Sequence, residues 1–458
     1  MKVTAIFDIG KTNKKFFLFD SKFQQVYKDY AHFEEIKDED GFPCDDITTI
    51  QNWLQKCLKQ VLKDKRYNLQ AINFSTYGAS LVHLDKHGKP VSPLYNYLKP
   101  MPKEIIESFY QKYGDELRLA KETASPPLAM LNSGLQLYWL KYAKPKTFRK
   151  IRWSLHFPQY LSYLLTSVPL SEYTSIGCHT GLWDYAKKDY HKWVYAEELD
   201  RILPPIVPSD TSINIKRSGA AIKVGVGVHD SSAALVPYLR AARKSFLLLS
   251  TGTWSICLNP FNHELLRKKE LKQDCLNYMQ RNGKPVKASR LFLGHEYHRQ
   301  TNYLAEHFGK PQGYDQSIKF DKTIYRKIGK LKGNHFHFES ISLPRKQPKK
   351  TNLKPFTSYE EAYHQLMQEL IFLQIEAAER AIGQTKVDSI YIDGGFAENE
   401  IYIKLLAHHF QKINIRTTQS PLGSALGAAI LVSQKNIGKQ FLKENYSMEK
   451  HKAKILID

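Results

Sequence analysis

The sequence is poor in cysteine, and the cysteines it has are widely spaced. Five occur among the 458 residues, from Cys44 to Cys275, and no CxxC pair is present. An odd number at wide spacing argues against a disulfide framework and against a zinc site. We therefore expect reduced thiols in a cytoplasmic protein.

Long hydrophobic runs are also missing. No apolar stretch approaches the roughly 18 residues that a membrane-spanning helix needs. The chain begins MKVTAIFDIG, in which a short apolar run leads directly into Asp8 without a small-residue cleavage site. This start is not typical of a secretory signal peptide. We expect a soluble protein that does not contact membranes.

Acidic residues are few relative to basic ones. The chain has 67 Lys and Arg against 45 Asp and Glu, which gives a formal net charge of +22. A basic balance suits anionic partners such as nucleotides or nucleic acids. The basic residues are scattered along the chain, however, which favours a solvated basic surface over a nucleic-acid footprint. We expect no nucleic-acid partner.

The order of apolar and polar segments repeats once along the chain. Apolar runs at residues 3–7 and 16–19 flank a polar stretch containing glycine, which predicts a β-hairpin. The same layout restarts near residue 243, where runs at 246–249 and 254–258 flank the polar turn STGT. A chain of this length holds two or more domains. The repeat therefore predicts a duplicated α/β architecture with a cleft between two lobes.

Apolar spacing predicts the remaining main elements. The predicted lobes are residues 1–242 and 243–458, and the Pro- and Lys-rich segment 341–357 is interpreted as a surface loop. Predicted helices cover 48–63, 134–143, 157–165, 359–382, 399–410 and 422–433, and further strands cover 71–74, 81–84 and 388–392.

The first stretch with chemical potential is DIGKTNKK, residues 8–15. A glycine turn exposes backbone N–H groups that bind phosphate oxygens, and the lysines add positive charge. A carboxylate at the end of a buried strand, such as Asp8, suits Mg²⁺ held partly through water. A plain hairpin turn explains the pattern equally well. A P-loop is rejected, because the earlier glycine it needs is replaced by Ala5.

The second stretch is GVGVHDSSAA, residues 225–234. An acid that follows a strand-like run and precedes small residues leaves room for a substrate beside the carboxylate. Asp230 could accept a hydroxyl proton while that hydroxyl attacks phosphorus. The alternative is a helix N-cap, a role in which Asp is among the best residues.

Two further polar turns follow predicted strands. The hydroxyls and backbone N–H groups of STGTWS, residues 250–255, could hold phosphates, although such turns are common. In DGGFAEN, residues 393–399, two glycines allow the backbone to approach a flat ring or a phosphate closely. Each turn by itself is weak evidence.

Taken together, the order and spacing of these stretches resemble the FGGY family of carbohydrate kinases, from about residue 3 to about residue 434. The segments 174–184 and 203–211 resemble the part of the family that precedes its catalytic Asp. HDSSAAL (229–235) and STGTWS are most similar to rhamnulokinases and fuculokinases. The resemblance implies two actin/hexokinase-like (ribonuclease H-like) lobes, the first binding sugar and the second binding ATP.

The resemblance also implies roles for individual residues. It implies that Asp230 is the catalytic base and that Asp8 is associated with Mg²⁺. Gly78, His229 and Ser231 would contact the sugar. The residues implied to bind ATP are Gly10, Lys11, Thr12, Asn13, Lys14, Lys15, Thr251, Gly252, Thr253, Gly394, Gly395 and Asn399.

Several positions depart from the family pattern. Lys11 and Asn13 replace the small or hydroxyl residues common in the first loop, and Gln159 stands where the family often has Asp. The family's Asp-x-Arg is missing, since residues 95–102 read YNYLKPMP, and the segment 420–429 lacks the usual Glu. These departures bear on sugar identity more than on phosphoryl transfer.

The function implied is ATP- and Mg²⁺-dependent phosphorylation of a terminal hydroxyl of a small ketose. L-rhamnulose or L-fuculose is the first expectation, and D-xylulose or another pentulose the next. A homodimer is the default expectation for assembly. Two other classes stay open: a non-catalytic, sugar-responsive regulator that holds DNA on its basic surface, and an inactive sugar-binding scaffold.

Overall fold

The architecture is built on two mixed β-sheets, one from each half of the chain, in a computed structural model that describes residues 1–217, 219–341, 347–418, 422–438 and 440–451. The strands are β1 Lys2–Ile9, β2 Lys14–Phe19, β3 Gln25–Ala31, β4 Ile36–Lys37, β5 Pro43–Cys44, β6 Asn68–Thr76, β7 Leu81–Leu84, β8 Trp153–His156, β9 Ser171–Glu172, β10 Trp183–Asp184, β11 Asp189–Tyr190, β12 Ile206–Val207, β13 Ser212–Arg217, β14 Ala220–Gly225, β15 Val228–His229, β16 Phe246–Thr251, β17 Ser255–Asn259, β18 Cys275–Met279, β19 Pro285–Leu291, β20 Ser389–Gly394, β21 Asn414–Thr418 and β22 Glu449–His451. The α-helices are α1 Ile47–Lys63, α2 Lys103–Tyr113, α3 Glu116–Thr123, α4 Ser133–Ala143, α5 Pro145–Phe148, α6 Phe157–Thr166, α7 Tyr173–Ile176, α8 Lys192–Ala196, α9 Asp230–Ala241, α10 Lys268–Leu271, α11 Leu293–His307, α12 Lys322–Ile328, α13 Tyr359–Ile382, α14 Glu400–His409, α15 Gly423–Ser433 and α16 Gln440–Tyr446.

The two sheets repeat one central arrangement. The first has the order β13-β14-β6-β1-β2-β3, with β15 also beside β6, and the second has the order β18-β19-β17-β16-β20-β21-β22. In each, an antiparallel hairpin (β1–β2 or β16–β17) has a parallel strand on its other side (β6 or β20). The predicted duplication is therefore confirmed, and both predicted hairpins are present.

One long helix crosses from the hairpin side to the next parallel strand in each half. α1 begins after Asp46, whose carboxylate accepts a hydrogen bond from the backbone N–H of Thr48. This is the usual N-cap arrangement. The apolar residues of α1 recur at helical spacing and are buried. Most residues of α13, the longer counterpart in the second half, are buried as well. The periodic segments thus form the helices that the sequence predicts, because one helical face must be covered by the sheet.

The two halves share part of their hydrophobic core. One buried cluster contains Ile6 and Phe17 from the first half together with Leu248 and Ile430 from the second. α15 packs closely on α9, since a Cβ atom added to Gly427 would lie 1.8 Å from the carbonyl oxygen of Ala233. A side chain at this position would separate the two helices.

Strand 81–84 is present as predicted, and it pairs with β8 in a separate ribbon. One expectation differs from the structure in detail. In the segment 341–357, Leu353 and Phe356 are buried in the core of the second half, so the described part is more than a surface loop. Residues 342–346 of that segment lie outside the described residues.

Other expectations concern the whole chain. The predicted lobe boundary after residue 242 falls between α9 and β16, and it stays a prediction. All five cysteines are buried free thiols. Among the described residues, no helix combines the length and the apolar character that crossing a membrane requires.

Candidate active site

The two acidic residues singled out from the sequence lie at the ends of two strands that run parallel to the strand between them, β6. β1 and β15 flank β6 on its two sides, with Asp8 and Val228 both paired to Ser75. Asp8 is near the end of β1, and Asp230 directly follows β15. Strands two positions apart in a sheet are roughly 10 Å apart, which leaves space for a small ligand between the carboxylates. Such carboxyl-end crevices are the usual binding places in open α/β sheets.

Asp230 is the first residue of α9. The N-cap is His229, so the alternative role of Asp230 as the N-cap is wrong. Its Oδ1 accepts hydrogen bonds from the backbone N–H and the hydroxyl of Ser231, at 2.6 and 3.2 Å. Burial raises the pKa of Asp230 to about 6, and the Ser231 bonds oppose this rise. A third of the side chain is still exposed, which is consistent with a carboxylate at the bottom of a cleft.

His229 is a buried, neutral neighbour of this carboxylate. Burial lowers its pKa to about 3. Its Nε2 lies 3.1 Å from Asp230 Oδ1 and its Nδ1 lies 3.2 Å from the hydroxyl of Ser232. A neutral ring carries no charge, so the contact with Asp230 is a close approach without an ion pair. The hydrogen-bond partner of Nε2 is the Cys178 thiol.

Gly78 makes room for His229. A Cβ atom added to Gly78 would lie 2.4 Å from Cys178 Sγ and 3.1 Å from Cδ2 of His229. The Cys178 thiol in turn lies 3.2 Å from His229 Nε2. Tyr278 of the second half contacts the same histidine, with ring centroids 5.3 Å apart. Gly78, His229 and Ser231, the predicted sugar contacts, are therefore brought close to Asp230.

Asp8 is a buried carboxylate with two polar neighbours. Its Oδ1 accepts a hydrogen bond of 2.9 Å from the hydroxyl of Ser424 in α15, and Lys15 Nζ lies 4.0 Å from Oδ2. Burial raises the pKa of Asp8, Lys15 and Ser424 lower it, and the charge of Asp230 adds a further rise. The two acids are thus close enough to repel each other, a situation that a bound cation relieves.

The three lysines of the first loop contact two different carboxylates. Lys11 and the buried Lys14 both bind Asp45, with N–O distances of 2.8 Å. The hydroxyl of Tyr77 donates to the same carboxylate. Lys15 is the lysine of this loop that lies beside Asp8. The structure therefore leaves Lys15 as the cation of the loop nearest the acidic pair.

The tip of the loop is a tight hairpin turn. The backbone N–H of Gly10 donates to the carbonyl of Asn13 at 2.9 Å. Thr12 and Asn13 are exposed at the turn. Asp45 was not singled out from the sequence, because its partners lie about thirty residues away along the chain and no local motif links them.

The second predicted phosphate turn follows β16 and touches two other turns. Thr251 donates its hydroxyl to the carbonyl of Asp393 at 2.6 Å, while the backbone N–H of Gly252 donates to the carbonyl of Trp254. A Cβ atom on Gly294 would lie 1.9 Å from the Gly252 oxygen, and the backbone N–H of His295 binds the carbonyl of Thr253.

The third turn, Gly394–Gly395, follows β20. Gly394 has φ of 91° and packs against Thr251, whose carbonyl oxygen would lie 1.8 Å from an added Cβ atom. Gly252, Gly294, Gly395 and Asn399 line one cavity of about 1050 Å³. This volume matches the upper range of small-molecule sites.

The donor set fits Mg²⁺ held jointly with a ligand better than a closed protein site. Within the described residues, no cluster of three or more His, Cys, Asp or Glu side chains could hold a metal ion. Mg²⁺ commonly uses one or two carboxylates together with waters and substrate phosphates. Asp8, a carboxylate near the end of β1 with the charge of Asp230 close by, meets this requirement.

Comparisons with known proteins identify relatives of this chain. A sequence profile described as "FGGY family of carbohydrate kinases, N-terminal domain" matches residues 3–236. The chain is 25% identical to a rhamnulokinase from Halalkalibacterium halodurans over 261 residues, which are 54% of this chain and 52% of that protein. The match thus spans about half the length of the curated relative.

Solved structures resemble the chain over almost all of its length. A carbohydrate kinase from Novosphingobium aromaticivorans has a TM-score of 0.79 and 21% identity, covering 99% of this chain and 97% of that one. A ligand-bound xylulose kinase from Lactobacillus acidophilus has a TM-score of 0.78 and 15% identity, covering 99% and 94%. At these identities the likeness establishes the fold alone, and it confirms two actin/hexokinase-like lobes.

The fold defines a two-lobed α/β protein of the type seen in these solved kinases. Because the profile covers about half of the chain, the protein belongs to the FGGY family of carbohydrate kinases.

Proposed function

We propose that this protein transfers the γ-phosphoryl group of ATP to a terminal hydroxyl of a small ketose. The observation that carries the proposal is a pair of acids, the buried Asp8 and the partly exposed Asp230, at the ends of the two strands that flank β6. Burial raises the pKa of both carboxyl groups. One acid suits a metal–phosphate complex and the other suits a hydroxyl. The glycine-lined cavity in the second half supplies space for the nucleotide.

Asp230 acts in this proposal as the general base. Its Oδ1 is held by Ser231, and none of the described residues donates to Oδ2. That oxygen can accept the proton of the attacking hydroxyl while the new O–P bond forms and the bond from the γ-phosphorus to the departing ADP breaks. We assign contacts with the sugar to His229 and Gly78, which lie against each other, and His229 Nε2 is 3.1 Å from Oδ1 of the carboxylate.

The phosphate chain of ATP would lie between the first-loop turn and the Thr251–Thr253 turn. Lys15 is the side chain we assign to phosphate, with the exposed turn at Gly10, Thr12 and Asn13 contributing backbone and polar groups. Lys11 and Lys14 support the loop through Asp45. Mg²⁺ held by Asp8 would neutralise phosphate charge and orient the phosphates. Alignment and charge neutralisation supply most of the acceleration in phosphoryl transfer.

L-rhamnulose or L-fuculose is our first choice of acceptor. The curated relative with 25% identity is named a rhamnulokinase, which supports this choice. D-xylulose and other pentuloses are the next candidates, because a pocket's preference rests on a few polar contacts. Absence of nucleic-acid and membrane partners, a cytoplasmic location and a homodimeric assembly stay predictions from the sequence.

A coupled assay of ADP release over a panel of ketoses, aldoses and polyols tests the proposal. We expect Asp230→Asn to bind ADP as the unchanged protein does and to lose at least about 100-fold in kcat, since general bases contribute on that order. Asp115→Asn is the matched control, because Asp115 caps helix α3 and Asn caps equally well. Near-normal turnover by Asp230→Asn, or no turnover of any sugar by the unchanged protein, would contradict the proposal.

A further inference from the structure

The cavity in the second half contains a buried carboxylate that the mechanism above does not use. Asp315 lines this cavity together with Tyr297 and Asn399, and only 8% of its surface is exposed. The glycine turns at Gly252 and Gly395 line the same cavity. Its lining also includes apolar side chains such as Ile318 and Ile403.

Four side chains from separate elements form a continuous chain of hydrogen bonds. Tyr297 donates its hydroxyl to Asp315 Oδ2 at 2.5 Å, and its oxygen lies 2.9 Å from the hydroxyl of Tyr363. Asn399 Nδ2 donates to Tyr363 at 2.8 Å. Asn399 Oδ1 accepts from the backbone N–H of Tyr402, which sets the orientation of the amide.

The direction of every proton in this chain follows from the groups present. An ionised carboxylate only accepts, so the single hydroxyl proton of Tyr297 goes to Asp315. Tyr363 must then donate to Tyr297, and it accepts from Asn399. Burial raises the pKa of Tyr363 to about 12, so its hydroxyl stays protonated at neutral pH.

This series of hydrogen bonds leaves one acceptor, on Asp315, and one donor, on Asn399, for a ligand. Among the described residues, none donates to Asp315 Oδ1. The amide of Asn399 has a second N–H beyond the one bound to Tyr363. A buried acceptor of this kind favours a ligand that donates to it, and it rejects one that offers an oxygen.

We propose that Asp315 is a specificity-determining residue that accepts a hydrogen bond from the 6-amino group of adenine and so selects ATP over 6-oxopurine nucleotides. This inference rests on the proposed function, because it assigns a nucleotide to the cavity. Asn399 complements the carboxylate by donating to a ring nitrogen. A 6-oxopurine turns an oxygen toward Asp315, and two acceptors then face each other.

Nucleotide binding by calorimetry tests the assignment, with ADP, IDP and 2′-deoxy-ADP as ligands. For the unchanged protein we expect ADP to bind about ten- to one-hundred-fold more tightly than IDP, the value of a hydrogen bond to a charged group. Asp315→Asn keeps an oxygen for Tyr297 but replaces the free acceptor by an N–H donor. We expect it to reduce the ADP/IDP preference by at least about ten-fold.

Asp321→Asn is the control, because Asp321 caps helix α12 and Asn serves that role equally well. Tyr297→Phe breaks the chain of hydrogen bonds, and we expect it to weaken ADP binding. An unchanged ADP/IDP ratio in Asp315→Asn overturns the inference. The inference is also overturned if Asp315→Asn changes only the preference for ADP over 2′-deoxy-ADP, because the carboxylate would then bind the ribose. If the unchanged protein binds no nucleotide, the proposed function itself fails.

Discussion

Asp230 has a pKa that suits a base working near neutral pH. Burial raises the pKa of its carboxyl to about 6, so the group loses its proton just below the physiological range. His229, with a pKa near 3, stays neutral and contributes no charge to this titration. The tuning comes from the surroundings of Asp230 in the cleft, and the sequence around it carries no measure of burial.

The pH dependence of turnover follows from this value. The base must be ionised, so we expect kcat to rise as the pH increases through about 6 and to level off above about 7. A steady-state profile between pH 5 and 8 measures this limb. Asp230→Glu is the companion variant, and it should retain a rising limb with a lower plateau. A profile that is flat from pH 5 upward would contradict the assignment of Asp230 as the base.

At the scale of elements, the contact between α9 and α15 depends on one glycine. Gly427 lies in the middle of α15, where alanine is intrinsically preferred by about 1 kcal/mol. A methyl group there would lie 1.8 Å from the Ala233 carbonyl oxygen, which is backbone of α9. Because Asp230 begins α9 and Ser424 of α15 binds Asp8, this contact also positions the two acids.

We therefore expect Gly427→Ala to destabilise the protein despite its better helix propensity. Overpacking costs typically 1–3 kcal/mol, and a backbone atom has little freedom to move away. Chemical denaturation should give a free energy of unfolding lower by about 2 kcal/mol. Gly438→Ala is the control, since nothing lies within 4 Å of an added Cβ atom there. Equal stability of the two variants would show that α9 and α15 separate easily.

At the scale of the whole molecule, the lobes are joined by packing as well as by the chain. Asn73 in β6 donates to the carbonyl of Ala428 in α15 at 2.9 Å, so an element of the second half is bonded to the first sheet. The shared cluster around Ile6 and Ile430 extends the same contact. The two halves therefore share a common core.

This shared core predicts cooperative unfolding. We expect one calorimetric transition for the full chain, with the calorimetric enthalpy close to the van't Hoff value. ADP should raise the transition temperature by mass action. A fragment of residues 1–242 would expose the apolar face that α15 covers, and we expect it to be insoluble or unfolded by circular dichroism. Two separate transitions, or a stably folded fragment, would refute the shared-core account.

The elements themselves were largely predictable. The helix 359–382 and the hairpin strands 3–7 and 16–19 follow from apolar periodicity, and each is present in the structure. Strand 81–84 was predicted as an element, but its partner was not, because β8 lies about seventy residues further along. The local sequence pattern indicates which face of a segment is apolar. Strand pairing depends instead on which distant segment the fold places alongside.

The sequence alone determined that the two acids and the three glycine turns lie at or just after strand ends, and parallel strands end at one edge of a sheet. Only the tertiary structure decided which lysine stands beside Asp8, since Lys11 and Lys14 are bound by Asp45 from a distant segment. The same holds for the chain from Asn399 to Asp315, whose members come from four separate elements. Hydrogen bonds between residues far apart along the chain leave no local signature, so the chemistry of each site depends on how the lobes fold.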